Sequence, residues 1–521
     1  MAQLALLLLL ALSQACAYHI LVVFPVPGKS HNILGQGYVK NLLEAGHEVT
    51  YVTPFPTHKT TAKYHEVDIS KSVEKFDQDK FSLKKLLDGE VSFDFTGFLP
   101  KLVEMMRTSL ENENLLKVLN DTTQHFDAVI VEWLYSDAYA GFGAVFDCPL
   151  IWSSSLEPHW LILRLIHESS NPAFNPDALS TATPPFSFVE RLKSLFSQVF
   201  IKAAKIFYLD AKEKELYEEI FGPAVAKRGR VLPPYGEAIF NGSFMLTNSH
   251  SSLSQPISVP PNSKEIGGYH IDPNVKPLPA DLQKLMDEAK HGVIYFSMGS
   301  NAKSKDFPDS LKQDFLKVLG GVKQTVIWKF EEDLPNRPKN VHIVQWAPQP
   351  SILAHPNCRL FITHGGLLST TEAIYFGVPT IVMPYGADQH LNAIRAVQKG
   401  YARKVQLSYE MAGEMKLAID EIIGNPKYMD RVKELSKIYH DRLVPPGKEL
   451  VHWVEHVVRT GGAPHLRSPA LMLPWYQKMY LDLFVVVLVV IYTLKLIIKK
   501  LFSLVKSLFK KNVTANKRKK N

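Results

Sequence analysis

The 521-residue chain is poor in cysteine, with three, and the first of them, Cys16, closes an apolar leader. Cys148 and Cys358 remain, far apart in sequence. Two such residues exclude a disulfide framework and have no zinc-ligand spacing, so both read as small buried side chains. No G-x-G-x-x-G follows either opening strand run, which removes the support for a dinucleotide-dependent oxidoreductase. There is no internal repeat and no low-complexity segment, and 46% hydrophobic with 21% charged residues is ordinary for a globular body. Acidic residues vanish beyond Asp482, where nine Lys and one Arg follow. Setting those ten aside leaves 49 of the 59 basic side chains against 51 acidic ones, near −2. The basic pI therefore belongs to the tail, and nucleic acid is not an expected partner.

Both ends of the chain differ from its body. Leu4 to Leu12 form an apolar run before Ala15-Cys16-Ala17, the pattern of a secretory signal over residues 1–17. Met479 to Ile498, "MYLDLFVVVLVVIYTLKLII", has the length of a bilayer-spanning helix, with Trp475, Tyr476 and Tyr480 suited to an aromatic belt. Residues 499–521 then form a basic tail, cytosolic by charge asymmetry. Lys519 and Lys517, third and fifth from the end, resemble a dilysine retrieval signal of the endoplasmic reticulum. Asn120 and Asn241 head glycosylation sequons, consistent with a luminal body, whereas the sequon at Asn512 stays bare in a cytosolic tail.

The body alternates strand-like and helix-like segments in two halves. "YHILVVFPV", "HEVTYVTP", "FDAVIVEW" and "CPLIWSSS" stand in the first; "GVIYFSMGS", "QTVIWKF", "VHIVQWAP", "CRLFITHGG" and "VPTIVMPYG" stand in the second. Alternation of this kind builds parallel sheets with helices on both faces and ligands at the carboxyl ends of the strands. The expected fold is α/β, two doubly wound Rossmann-like domains facing a cleft plus a C-terminal transmembrane helix. Residues 18–250 form the first domain, the Pro/Ser-rich 251–285 a linker, and 286–478 the second domain with return helices. The helical stretch Leu161 to Arg230 is expected to cap the first domain.

In "FITHGGLLSTTEAIYFGVP", Phe361 to Pro379, an apolar strand ends in two glycines and a helix start. The unpaired N–H groups and the helix dipole there suit an anion, most often a phosphate. The surrounding text carries Trp346-Ala347-Pro348-Gln349, His355-Pro356, His364-Gly365-Gly366, Glu372, Gly377-Val378-Pro379 and Asp388-Gln389. In order and spacing this resembles the signature of the UDP-glycosyltransferases, most closely the arthropod members, and the resemblance covers nearly the whole chain. It implies the GT-B arrangement, with donor bound by the second half and acceptor by the first. It implies that His364, Gly366 and Ser369 hold the diphosphate of a UDP-sugar, with Ser297, Gly299 and Ser300 as a second phosphate contact. Trp346 stacks on uracil, Gln349 bonds the nucleoside, Glu372 accepts from ribose, and Asp388 and Gln389 read the sugar. Ser369 and Glu372 also fit a capping box, and Trp346 also fits core packing; His355 reads as structural. One departure stands out: the family often has Asn at the position of Leu368.

Transfer needs a base near the acceptor hydroxyl, and the family's base falls on His31, in "SH" after the first strand. An imidazole suits the role near neutral pH, and a helix N-terminus disfavours its protonation. The family's Asp partner aligns with Glu132, one methylene longer; Asp137 is the rival partner. The expected reaction is a single inverting displacement without metal or cofactor, the UDP-sugar being a co-substrate. No Asp-x-Asp stands where a metal–diphosphate bridge would need it. Glucose is the expected sugar and a small lipophilic hydroxyl compound the expected acceptor; a non-catalytic sugar-nucleotide or lipophile-binding membrane protein is the alternative. The lipid bilayer is the other expected partner, and oligomerisation stays open.

Overall fold

The computed structural model describes residues 17–75, 83–90, 95–168, 170–176, 180–300 and 303–518. The expected signal at 1–17, apart from Ala17, and Lys519 of the retrieval pattern lie outside them.

The strand runs form two wholly parallel sheets. The first holds β1 (His19–Val23), β2 (Glu48–Thr53), β3 (Tyr64–Asp68), β4 (Ala128–Trp133), β5 (Leu150–Ser154), β6 (Phe244–Thr247) and β7 (Ser263–Glu265), in the order β3-β2-β1-β4-β5-β6-β7. The second holds β8 (Val293–Ser297), β9 (Thr325–Lys329), β10 (Val341–Val344), β11 (Cys358–Thr363), β12 (Thr380–Val382) and β13 (Ala402–Lys404), in the order β10-β9-β8-β11-β12-β13. The inner strands are continuous apolar runs because helices cover both faces. Each sheet reverses direction beside its first strand, between β1 and β4 and between β8 and β11, which opens a crevice at the carboxyl ends.

The stretch 251–285, expected as a linker, is used by both lobes. Ser263–Glu265 pairs with β6 as the seventh strand. Leu278, Leu282 and Met286 pack in the second lobe's core with Val293 and Phe361. Two further segments tie the lobes together. The helix Pro446–Arg459 returns to the first lobe, burying Leu450, Val454 and Val457 with Ile20 and Val22. Leu83, from the first half, is buried in the second lobe's core, and the Tyr409 hydroxyl donates to Asp88 Oδ1 at 2.5 Å. The middle stretch does cap the first sheet: the helix Asp210–Lys227 buries Leu216, Tyr217 and Phe221 against it.

Cys148 and Cys358 are free thiols, both pushed up to about 12 by burial. Asn241 is exposed, and Asn120 is half-buried with its Nδ2 donating to Leu116 O at 2.8 Å. Residues to Arg467 form one compact unit and Ser468–Asn521 a second. In the second, one helix runs Leu481–Arg518, so the backbone does not break at 498, where the span was expected to end. Its stretch Leu481–Lys510 is long and apolar enough to cross a membrane.

Candidate active site

The loop after β1 delivers His31 as the third residue of the helix Lys29–Glu44. That helix starts at Gly28 without a side-chain cap. A Cβ on Gly28 would lie 2.9 Å from His31 Cδ2, so the ring folds back over the loop only because residue 28 has none. β4 lies beside β1, and this pairing brings Glu132 to His31, with Oε1 2.5 Å from Nδ1. Glu132 is fully buried, and Ser155, just past β5, donates to the same oxygen. The contact leaves Nε2 of His31 as the atom able to take a proton from a third group.

His31 differs from expectation in its charge preference. Burial opposes the imidazolium, but the charge and hydrogen bond of Glu132, then the charge of Asp388, outweigh it and raise the pKa above 6.5. A full carboxylate at hydrogen-bond distance acts more strongly than the partial charge of a helix end. Asp388 belongs to the second lobe, so both lobes act on one imidazole.

Asp137 does not partner His31. It accepts from Trp133 Nε1 at 2.8 Å and pairs with Arg164 and with Lys205, the latter at 3.0 Å. Lys205 also reaches Asp210 at 3.0 Å and Glu213 at 2.7 Å. Against the effect of burial, Arg164 and Lys205 hold the Asp137 carboxyl well below its usual range. The three carboxylates have the spacing of a metal site, yet the Lys205 ammonium already fills the role of a cation among them.

On the opposite wall, β11 ends at Thr363 and the helix Leu367–Phe376 begins after Gly366 with no side-chain cap. Its first-turn N–H groups are aimed at the crevice. His364 lies between this turn and the loop after Ser297. Gly299 has φ +84°, and a Cβ there would come within 2.5 Å of His364 Cε1. Burial, with the charge of Lys329, pushes His364 down to about 4, so it is a neutral hydrogen-bond donor near pH 7.

The capping-box reading of Ser369 and Glu372 does not hold, because Gly366 is the N-cap. Instead Gln349 Nε2 donates to Glu372 Oε2 at 2.6 Å and to Ser369 Oγ at 3.3 Å, joining three of the expected donor residues. Burial pushes Glu372 up to about 7 against the pull of Gln349. Trp346 is 62% exposed, which rules out the core-packing alternative. Asp388 accepts from Asn392 Nδ2 at 2.7 Å, and Gln389 Oε1 accepts from the Tyr385 and Gly386 amides, holding the loop before it. Ser297 ends β8, with its Oγ accepting from Gly299 N at 3.3 Å, and Ser300 follows in the same loop. His355 pairs with Asp287 at 3.1 Å, away from these residues, as a structural contact. Leu368, the departure from the family pattern, packs against the first lobe's core and joins the lobes.

Several residues of this wall are new relative to the sequence reading. Lys29, from the first lobe, lies 5.2 Å from the centre of the Trp346 ring, and Lys329 lies 5.7 Å from it. Lys329 ends β9, and the carboxyl ends of strands are where ligand-binding residues collect. His270 faces Glu372 at 3.9 Å, and Glu157 of the first lobe pairs with Arg395 of the second.

Two parallel doubly wound lobes, an imidazole–carboxylate pair on one side and an uncapped glycine turn on the other, define a GT-B glycosyltransferase. The solved glycosyltransferase VinC, in complex with DTDP, superposes with a TM-score of 0.56 at 16% identity, covering 85% of this chain and 100% of its own. The calicheamicin glycosyltransferase CalG4 superposes with a TM-score of 0.54 at 18% identity, covering 85% and 99%.

Residues 19–519 match the family model described as "UDP-glucoronosyl and UDP-glucosyl transferase", and the chain belongs to that family. It is 32% identical to UDP-glucosyltransferase 2 of Dactylopius coccus, covering 90% of each chain. It is 26% identical to UDP-glucuronosyltransferase 2B10 of Homo sapiens, covering 89% of each.

Proposed function

We propose that this chain transfers glucose from UDP-glucose to a hydroxyl of a small lipophilic acceptor by a single inverting displacement. The observation that carries the reading is His31 held by Glu132 at 2.5 Å, with Asp388 of the other lobe acting on the same ring. His31 Nε2 takes the acceptor's proton as the hydroxyl oxygen bonds the anomeric carbon. The bond from that carbon to the UDP oxygen breaks on the opposite face, and Glu132 stabilises the imidazolium. The uncapped amides after Gly366 and neutral His364 receive the charge that grows on UDP. Trp346 stacks on uracil, Gln349 bonds the nucleoside, Glu372 accepts from ribose, and Ser369, joined to Gln349, holds the diphosphate with His364 and Gly366. Lys29 adds positive charge beside Trp346, and Lys329, shared with Glu331, donates to Gly299 O of the phosphate loop at 2.6 Å, which supports transfer without a metal.

A neutral hexose fits better than a uronate. Asp388 puts a carboxylate beside the base, and Arg395, a cation of the same lobe, is already paired with Glu157. Like charges at this depth repel strongly. The basic tail and the two sequons support a body in the lumen of the endoplasmic reticulum, anchored by the C-terminal helix.

The test is product mass spectrometry with membranes carrying the full chain, a set of UDP-sugars and a set of phenols and alcohols, with and without EDTA. Glucosides formed equally in both conditions, and lost in His31→Ala while UDP still binds, are expected. Turnover surviving in His31→Ala removes the base, and glucuronide as the main product removes the donor assignment. No UDP release with any pair favours the non-catalytic binding alternative.

A further inference from the structure

The return helix Pro446–Arg459 buries Leu450, Val454 and Val457 and carries His452 and His456 off that face, one turn apart. His452 is exposed and His456 half-buried. Past the helix the chain reverses through Gly461, Gly462 and Ala463, all in left-handed conformations. The Thr460 hydroxyl donates to His456 O at 2.7 Å and accepts from Ala463 N at 3.1 Å. Beyond the turn, Arg467 donates to Asn241 Oδ1 at 3.0 Å and to Phe240 O at 3.1 Å. The reversal is thus tied down on both sides, and it returns His465, in the short turn Pro464–Leu466, to the helix. His456 Nε2 and His465 Nε2 stand 3.2 Å apart. The His452 ring stacks beside that of His456, with centroids 6.2 Å apart and planes at 24°.

The chemistry of the three side chains identifies what they hold. Two imidazole nitrogens bound to one tetrahedral ion at about 2.0–2.1 Å stand about 3.3 Å from each other. The spacing of His456 and His465 matches that figure. Two histidines four residues apart on a helix are a chelating pair, and imidazole suits zinc and its neighbours in the first transition row. A hydrogen bond between the two rings explains less, because His465 is exposed and water competes for it. Among the described residues none of the three imidazoles pairs with a carboxylate. Glu455, the nearest in sequence, pairs with His47 and Arg459.

We propose that His452, His456 and His465 form a binding site for one zinc-class divalent cation. The Nε2 atoms of His456 and His465 are the paired ligands, the exposed His452 side chain turns in from the preceding turn, and water completes the tetrahedron. The cation clamps the end of the return helix to the chain reversal that follows it. Its role is to brace the first lobe and not to take part in transfer. Glu455 meets His47 just before β2, and a Cβ on Gly462 would lie 2.9 Å from the hydroxyl of Ser243, just before β6. The cluster therefore lies at the amino ends of the strands, whereas His31 lies past the carboxyl end of β1.

The full chain, free of any polyhistidine tag, is titrated in detergent with zinc against a chromophoric chelator. A second sample receives cobalt(II), whose visible bands report tetrahedral coordination. The expected result is one tightly held zinc per chain and tetrahedral cobalt bands. Losing a ligand costs no less than losing its outer-shell partner, about 10–100-fold in affinity. His456→Gln and His465→Gln are each expected to weaken zinc by at least that much and to abolish the cobalt bands, and His452→Gln to weaken zinc severalfold. UDP affinity reports folding of each variant, and His465→Ala, at an exposed position, is read beside them. Zinc is expected to raise the melting temperature of the wild type by a few degrees and to leave that of His465→Gln unmoved. Zinc held at wild-type strength by His456→Gln and His465→Gln places the ion elsewhere and overturns the proposal, as does a folded wild type that holds none. Wild-type affinity in His452→Gln overturns the three-ligand set.

Discussion

Replacing Glu132 with Gln keeps the shape of the His31 partner and removes its charge. The wild-type contact is 2.5 Å and fully buried on the carboxylate side. A hydrogen bond to a charged group contributes about 1.5–3 kcal/mol, against about 0.5–1.5 for a neutral one. Above the raised His31 pKa the imidazolium forms only as the acceptor proton is taken, so there the difference falls on the transition state. A buried charge pair at about 4 Å attracts by about 4 kcal/mol at an effective dielectric of about 20, and only the charge developed in the transition state counts. Together these give about 2–4 kcal/mol, or roughly 30- to 1,000-fold in kcat. The pH profile shifts as well. In the wild type, burial lowers the His31 pKa, and Glu132 and Asp388 raise it beyond 6.5. Protonated His31 cannot act as base, so the rate falls as pH drops through that raised value. In Glu132→Gln burial dominates, and the acid limb moves to lower pH. Stability follows the same sign. A raised imidazole pKa contributes stability that is full below the unfolded value of about 6.5 and lost as pH rises through the folded value. The variant is therefore most weakened in acid. The assay is kcat and kcat/KM for glucoside formation across about pH 5–9 at saturating donor, with UDP affinity as the folding control. An unchanged kcat with an unmoved acid limb would show that Glu132 does not act on His31.

Trp346→Ala should weaken UDP binding by about 1–3 kcal/mol, the usual worth of stacking on one base, with Trp346→Phe closer to wild type; titration calorimetry checks this, and equal affinities would remove the uracil assignment. Gly299→Ala places a methyl 2.5 Å from His364 Cε1 at a φ of +84°. It should cost about 1–2 kcal/mol in backbone strain alone and raise the KM for donor far more than that for acceptor; a lower melting temperature with unchanged donor KM would contradict the phosphate role. Glu372, pushed up to about 7 by burial, accepts from ribose best when ionised. Donor KM should rise as pH falls below about 7, and Glu372→Gln should flatten that dependence; a profile that Gln leaves intact would assign it to another group.

The parallel α/β architecture is legible because its strands are short buried runs separated by helical patterns, and both signals are local. The turn around His364 is equally local: a strand end, two glycines and a helix start announce unpaired amides without knowledge of the rest. Local spacing was ambiguous where one residue answers to two neighbours. Ser369 and Glu372 have capping-box spacing, yet the preceding Gly366 takes the cap and Gln349, from another helix, takes both side chains. The 251–285 stretch has linker composition, yet three of its residues complete a sheet whose open edge β6 supplies. Lys29 and Lys329 carried no signal, because a lysine at a strand or helix end is ordinary until the fold puts Trp346 beneath it, from the facing lobe for Lys29 and from beside the neighbouring strand for Lys329.

By itself the sequence determined the alternation of strands and helices, the apolar span with its basic continuation, and the residue types able to hold a diphosphate. Each depends on neighbours within a turn or a strand. The tertiary structure alone decided that Glu132 rather than Asp137, five residues on, meets His31, and that Asp388 reaches the same ring from the other lobe. Those are distances across a sheet and a cleft. They follow from the placement of β4 beside β1 and from the packing of two lobes, which no local spacing encodes.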